Sequence, residues 1–69
     1  MKISINSKEE NVIRDSISIT EILKLKDVTR PDMVSVQVNG KFVRKEDFAN
    51  TLVKDGDVID YIYFMGGGE

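Results

Sequence analysis

Lys2-Ile3-Ser4-Ile5 alternates polar and apolar side chains, the period-two signature of a strand with one buried face. Asn6-Ser7-Lys8 can turn the chain, and a second short strand over roughly Glu10 to Arg14 carries Val12 and Ile13, predicting an N-terminal β-hairpin. The apolar period then changes. Ile19, Ile22, Leu23 and Lys26 fall on one helix face at i, i+3, i+4 and i+7, and Leu25 widens the stripe. Ser18-Ile19-Thr20-Glu21 fits a capping box, in which the Ser18 hydroxyl accepts from the Glu21 amide and the Glu21 carboxylate accepts from the Ser18 N–H. Ile17 and Ile22 have the spacing of a hydrophobic staple across that cap. Lys24 and Lys26 come late, where the negative end of the helix dipole favours cations. Val28-Thr29-Arg30-Pro31 is expected to end the helix, because Pro31 disfavours helical geometry at Arg30.

Val34, Val36 and Val38 alternate with Ser35, Gln37 and Asn39, a third strand with one buried face. Asn39-Gly40 suits a type I′ turn, whose two central residues both need positive φ, and Lys41-Phe42-Val43 returns from it. Arg44 to Ala49 reads as one helical turn, with Phe48 and Leu52 expected in the core. Lys54-Asp55-Gly56-Asp57 is a tight turn, and the longest strand runs from Val58 to Met65. The order β-β-α-β-β-(short helix)-β predicts an α+β domain, a mixed sheet of four to five strands packed on one main helix. A lone helix and a lone sheet each leave an apolar surface bare, so they cover one another.

Composition narrows the chemistry. With 69 residues there is room for one small domain, expected over 1–65, with a glycine-rich tail over 66–69. A chain of this size buries only about 60% of its unfolded surface. It has no cysteine and no histidine, which excludes disulfides, Cys/His zinc sites and Cys–His or Ser–His–Asp catalysis. Ten basic and twelve acidic residues are interspersed, with no basic stripe for a phosphate backbone, so no nucleic-acid partner is expected. No apolar run approaches membrane-spanning length and no leader pattern is present, so a cytoplasmic protein with no membrane partner is expected.

Four features could carry function. Gly66-Gly67-Gly68 cannot strengthen a strand, but an arm without side chains can thread its carboxylate into a narrow channel; a frayed terminus is the plain alternative. Along the last strand, Ile59, Tyr61, Tyr63 and Met65 share one face, and Val58, Asp60, Ile62 and Phe64 the other. Asp60 marks its face as the uncovered one, so Ile62 and Phe64, with Met65 beside the tail, are candidate partner contacts; the alternative is a central strand that is apolar on both sides. Asp55, Asp57 and Asp60 lack the ligand spacing of a calcium loop, and no metal site is expected. Lys41, Arg44 and Lys45 form a small basic cluster, read as a solvated face or as a rim contact for an acidic partner.

These elements together resemble the ThiS/MoaD family of ubiquitin-like, β-grasp sulfur carriers, and within it the ThiS branch. The resemblance rests on Met1-Lys2-Ile3, Ser18-Ile19-Thr20-Glu21-Ile22-Leu23, Val36-Gln37-Val38-Asn39-Gly40, Lys54-Asp55-Gly56-Asp57 and the glycine tail, in that order over essentially the whole chain. It implies a protein co-substrate and not an enzyme. A ThiF-like adenylyltransferase, which holds the ATP and Mg, activates the terminal glycine carboxylate. A sulfur donor such as a cysteine desulfurase converts it to a thiocarboxylate, and thiazole synthase or another sulfur-accepting enzyme takes the sulfur. The carrier itself binds no cofactor.

Two departures stand out. The usual Asn-Gly of the first hairpin is Asn6-Ser7, a change expected to affect only turn geometry. Family carriers normally end on the second glycine of a pair, whereas Glu69 follows Gly68 here. The resemblance therefore implies removal of Glu69, by a trimming metalloprotease, before Gly68 can be adenylated. The expected pathway is thiamin (thiazole) biosynthesis. The alternatives are a carrier for cysteine, homocysteine or another sulfur metabolite, and a non-covalent β-grasp interaction module.

Overall fold

The computed structural model describes residues 1–63. A two-residue turn joins β1 (Lys2–Ile5) to β2 (Lys8–Asn11), and β3 (Ile17–Ser18) runs directly into the helix α1 (Ile19–Leu25). The hairpin β4 (Val34–Val38) and β5 (Lys41–Val43) follows, then β6 (Leu52–Val53) and β7 (Val58–Tyr63). The main sheet has the order β2-β1-β7-β4-β5; β1 and β7 are parallel and the other neighbours antiparallel. The last strand therefore lies at the centre, with α1 across one face.

Alternation decides what lies under α1. Ile3, Ile5, Val34, Val36 and Ile59 project from the sheet onto Ile19, Ile22 and Leu23 of α1, all of them buried, with Phe48 and Val53 closing the core. The capping box forms as expected: Glu21 N–H donates to Ser18 Oγ at 3.1 Å and Ser18 N–H to Glu21 Oε1 at 3.1 Å. Two more donors at the start of α1 reach the segment before β6, Ile19 N–H to the Thr51 carbonyl at 3.2 Å and Thr20 N–H to the Phe48 carbonyl at 3.3 Å. Lys26 continues the helix face, but as an ion pair with Glu10 at 2.8 Å. That hydrogen bond holds its ammonium above the usual lysine range.

Four expectations need correction. The second strand is Lys8–Asn11, not Glu10 to Arg14, because the two-residue turn at Asn6-Ser7 brings Lys8 directly opposite Ile5; Ile13 lies beyond the strand and is fully exposed. The helix stops at Leu25, well before Pro31. Asp27 takes φ +58, and the amides of Asp27 and Val28 return to the carbonyls of Lys24 (3.1 Å) and Leu23 (2.9 Å). This is the Schellman closure with aspartate in place of the usual glycine, sealed by the buried pair Leu23 and Val28. Leu25 consequently sits 59% exposed at the helix end and does not widen the stripe. Leu52 is also exposed: it belongs to β6, which pairs with β3 in a separate two-stranded ladder, and there Val53 takes the inward position.

Candidate functional site

The strand that leads to the glycines is held on both sides. Its parallel ladder with β1 places Ser4 opposite Val58 and Ile5 opposite Ile59, and its antiparallel ladder with β4 runs from Val38 opposite Ile59 to Val34 opposite Tyr63. The turn before β7 is fixed by Gly56, whose φ of +88° suits glycine and whose N–H donates to the Lys2 carbonyl at 2.7 Å. Asp57 Oδ2 accepts from Lys54 N–H, and Asp55 Oδ1 from Lys2 N–H. These aspartates thus build the turn. No group of three acidic residues able to hold a metal ion occurs among the described residues.

The two faces of β7 differ as the alternation predicts. Ile59 is fully buried and Tyr61 packs partly against the core, while Val58, Asp60 and Ile62 face the side away from α1. Ile62 is 68% exposed. Phe64 and Met65, the other two expected contacts, lie outside the described residues, as do Gly66, Gly67, Gly68 and Glu69.

One residue of this face escaped the sequence reading. Phe42 on β5 is 64% exposed and stands opposite Gln37, which stands opposite Asp60, so it shares the open face with Ile62. The signal was available: the Asn39-Gly40 turn fixes the register, and register fixes the face. Ser35 and Gln37 lie between these apolar side chains, so the surface is mixed and not one greasy patch. The basic cluster at Lys41, Arg44 and Lys45 is partly neutralised, because Arg44 pairs with Glu46 at 2.9 Å. The Glu46 backbone N–H and then Arg44 hold that carboxyl below its usual value. Among the described residues no helix is long and apolar enough to cross a membrane.

A five-stranded mixed sheet with one covering helix and a glycine run after the central strand can now be set beside known proteins. The ThiS family model matches residues 2–68. The chain belongs to the ThiS family. A crystal structure of the thiamine biosynthesis protein ThiS from Geobacter metallireducens is 39% identical, covers 99% of this chain and 100% of its own, and superposes with a TM-score of 0.87. A solution structure of a thiamine biosynthesis protein from the same organism is 38% identical, with 100% and 90% coverage and a TM-score of 0.80. No curated protein matches the chain. The β-grasp fold expected from sequence is the fold of these ThiS structures. ThiS proteins are small sulfur carriers and not catalysts, and membership supports that role here. The ThiS match includes all three tail glycines and stops one residue before Glu69.

Proposed function

We propose that this protein carries sulfur for thiamin (thiazole) biosynthesis as a thiocarboxylate on Gly68, after Glu69 has been removed. The observation that carries the reading is the ThiS match, which runs through the glycines to Gly68 and leaves Glu69 outside. A carboxylate is a poor electrophile, so a ThiF-like adenylyltransferase activates it first. The Gly68 carboxylate attacks the α-phosphorus of ATP and expels pyrophosphate; Mg held by that enzyme would neutralise the phosphates. Sulfide then attacks the acyl carbon and expels AMP. From a desulfurase persulfide the product is an acyl disulfide, which a thiol reductant converts to the thiocarboxylate. Every acid, base and metal in this sequence belongs to the partners, in keeping with a carrier that contains neither histidine nor cysteine.

The open face of β7, with Ile62 and Phe42 among polar neighbours and Phe64 and Met65 next along the chain, is the proposed docking surface for the activating enzyme and for a cytoplasmic sulfur acceptor such as thiazole synthase. Glu69 would bring a charged side chain into a channel fitted to glycine, so a trimming protease acts first. The test is intact-protein mass spectrometry of the full chain and of a chain ending at Gly68, each incubated with the adenylyltransferase, ATP and sulfide. Replacement of one oxygen by sulfur only in the Gly68-ending chain supports the proposal. A Gly68-ending chain that is never adenylated sinks it, and efficient sulfur loading of the full-length chain removes the trimming step.

A further inference from the structure

Both hairpin turns of the main sheet place an asparagine at their first central position with positive φ, Asn6 at +52° and Asn39 at +53°. Each side chain also leaves its own turn to bind β7. Asn6 Oδ1 accepts from the Tyr61 N–H at 2.8 Å, and Asn39 Oδ1 accepts from the Val58 N–H at 2.9 Å. Asn39 adds two further links: its Nδ2 donates to Asp57 Oδ1 at 3.1 Å, and its backbone N–H to the Val58 carbonyl at 2.7 Å. The partners fix which way each amide points, since an N–H can only donate and a carboxylate can only accept.

The two contacts fall where the backbone ladders give out. The last parallel register pair is Ile5 opposite Ile59; Asn6 N–H still reaches the Ile59 carbonyl at 2.9 Å, and its side-chain Oδ1, in place of its backbone carbonyl, accepts from the Tyr61 N–H. On the other side β4 ends at Val38; the Asn39 backbone N–H still reaches the Val58 carbonyl, and Asn39 Oδ1, in place of its backbone carbonyl, accepts from the Val58 N–H. β7 is therefore gripped from β4 at its start and from β1 near its end, by residues that are themselves fixed in two-residue turns. Beyond Tyr61 only β4 continues beside it, to Tyr63.

The geometry points to Asn6 and Asn39 as positioning residues that lock the register of β7 and so fix where Tyr63, the last described residue before the tail, stands in the sheet. The two are not equivalent. Asn6 needs only an acceptor, which aspartate also provides. Asn39 needs acceptor and donor at once, and aspartate there would set a carboxylate against Asp57. Glycine at either site keeps the positive φ of the turn and removes only the side-chain contact.

The test compares N6G, N6D, N39G and N39D with the native chain. Amide hydrogen exchange on the full chains reads the grip directly. Loss of one hydrogen bond should speed exchange at Tyr61 in N6G and at Val58 in N39G by roughly fivefold relative to Asp60. N6D should restore protection of Tyr61, and N39D should not restore Val58. The second readout rests on the proposed carrier function: adenylation of the same chains ending at Gly68. N6G should raise KM for the carrier several-fold with kcat little changed, and N6D should recover it, while thermal midpoints of N6G and N6D stay close. Unchanged exchange at Tyr61 and Val58 in the glycine variants overturns the grip. Faster exchange with an unaltered KM overturns the positioning role. If the native sequence ending at Gly68 is not adenylated at all, the carrier reading fails and the positioning role with it, while the exchange data still decide whether the asparagines hold the strand.

Discussion

Ile59 and Ile62 stand three residues apart on β7, one fully buried beneath α1 and the other 68% exposed on the opposite face of the same sheet. On the covered side the fully buried positions of the main sheet are branched aliphatics, Ile3, Ile5, Val34, Val36 and Ile59, with Tyr61 packed partly against them. The open side alternates apolar with polar, Ile62 beside Ser35 and Phe42 in a row with Gln37 and Asp60. Burial of an aliphatic side chain is worth about 1.5–3 kcal/mol, so the covered face supplies most of what holds so small a domain together. Ile62 and Phe42 gain little of that in the free protein. Their apolar surface is left open, and the strand that anchors the fold on one side carries the proposed docking surface on the other.

Truncating the two isoleucines tests this division most severely. Ile59→Ala should cost about 2–5 kcal/mol, a large share of the roughly 3–10 kcal/mol available to a chain of this length, and urea unfolding should show a sharply lowered midpoint. A loss below about 1 kcal/mol would mean that the covered face is not the core it looks to be. The next effect has the opposite sign. Ser7 sits at φ +69° in the first hairpin, where the second hairpin has Gly40, so Ser7→Gly should stabilise the protein by about 1 kcal/mol without touching either face. Denaturant midpoints decide it; a destabilised variant would show that the Ser7 conformation carries no strain.

A smaller effect concerns the helix that covers the inner face. The Ser18 backbone N–H and then Arg14 lower the Glu21 carboxyl from its ordinary 4.5. A depressed carboxyl stabilises fully above 4.5 and less as the pH falls below that value through the folded-state pKa. Acid should therefore lower the thermal midpoint, and Glu21→Gln should flatten that part of the curve; identical acid limbs in the two proteins would remove the cap from the account. The smallest stability change belongs to Ile62→Ala, within about 0.5 kcal/mol, because the side chain is already in water. Its effect should appear instead as weaker binding to the adenylyltransferase in titration calorimetry. A strongly destabilised Ile62→Ala would erase the contrast with Ile59.

The contrast itself is readable in the sequence. Period-two alternation in Lys2–Ile5 and Val34–Val38 picked out the core faces, the Ser18/Glu21 pair placed the helix start, and Asp60 marked the open side. What escaped depended on partners distant in sequence or on an unexpected residue type. The β3–β6 ladder is only two residues on each side, too short to leave a periodic trace, and it turns Leu52 outward while Val53 takes the inward place. The helix end was missed because aspartate, not glycine, occupies the left-handed position at Asp27. Of the candidate site, the face of Ile62 was legible from the strand's own alternation, whereas Phe42 was missed because its orientation is read only through the register that the Asn39-Gly40 turn sets.

The central placement of β7 has a mechanical consequence. Hydrogen bonds in a sheet lie across the strands, so a pull along the chain beyond Tyr63 loads the β1 and β4 ladders sideways and all at once. Bonds strained together resist far more than bonds peeled one after another from a free edge. Tension applied beyond Tyr63 would be passed to the middle of the sheet, and the proposed carrier role would call for that resistance each time a partner enzyme engages the end of the chain.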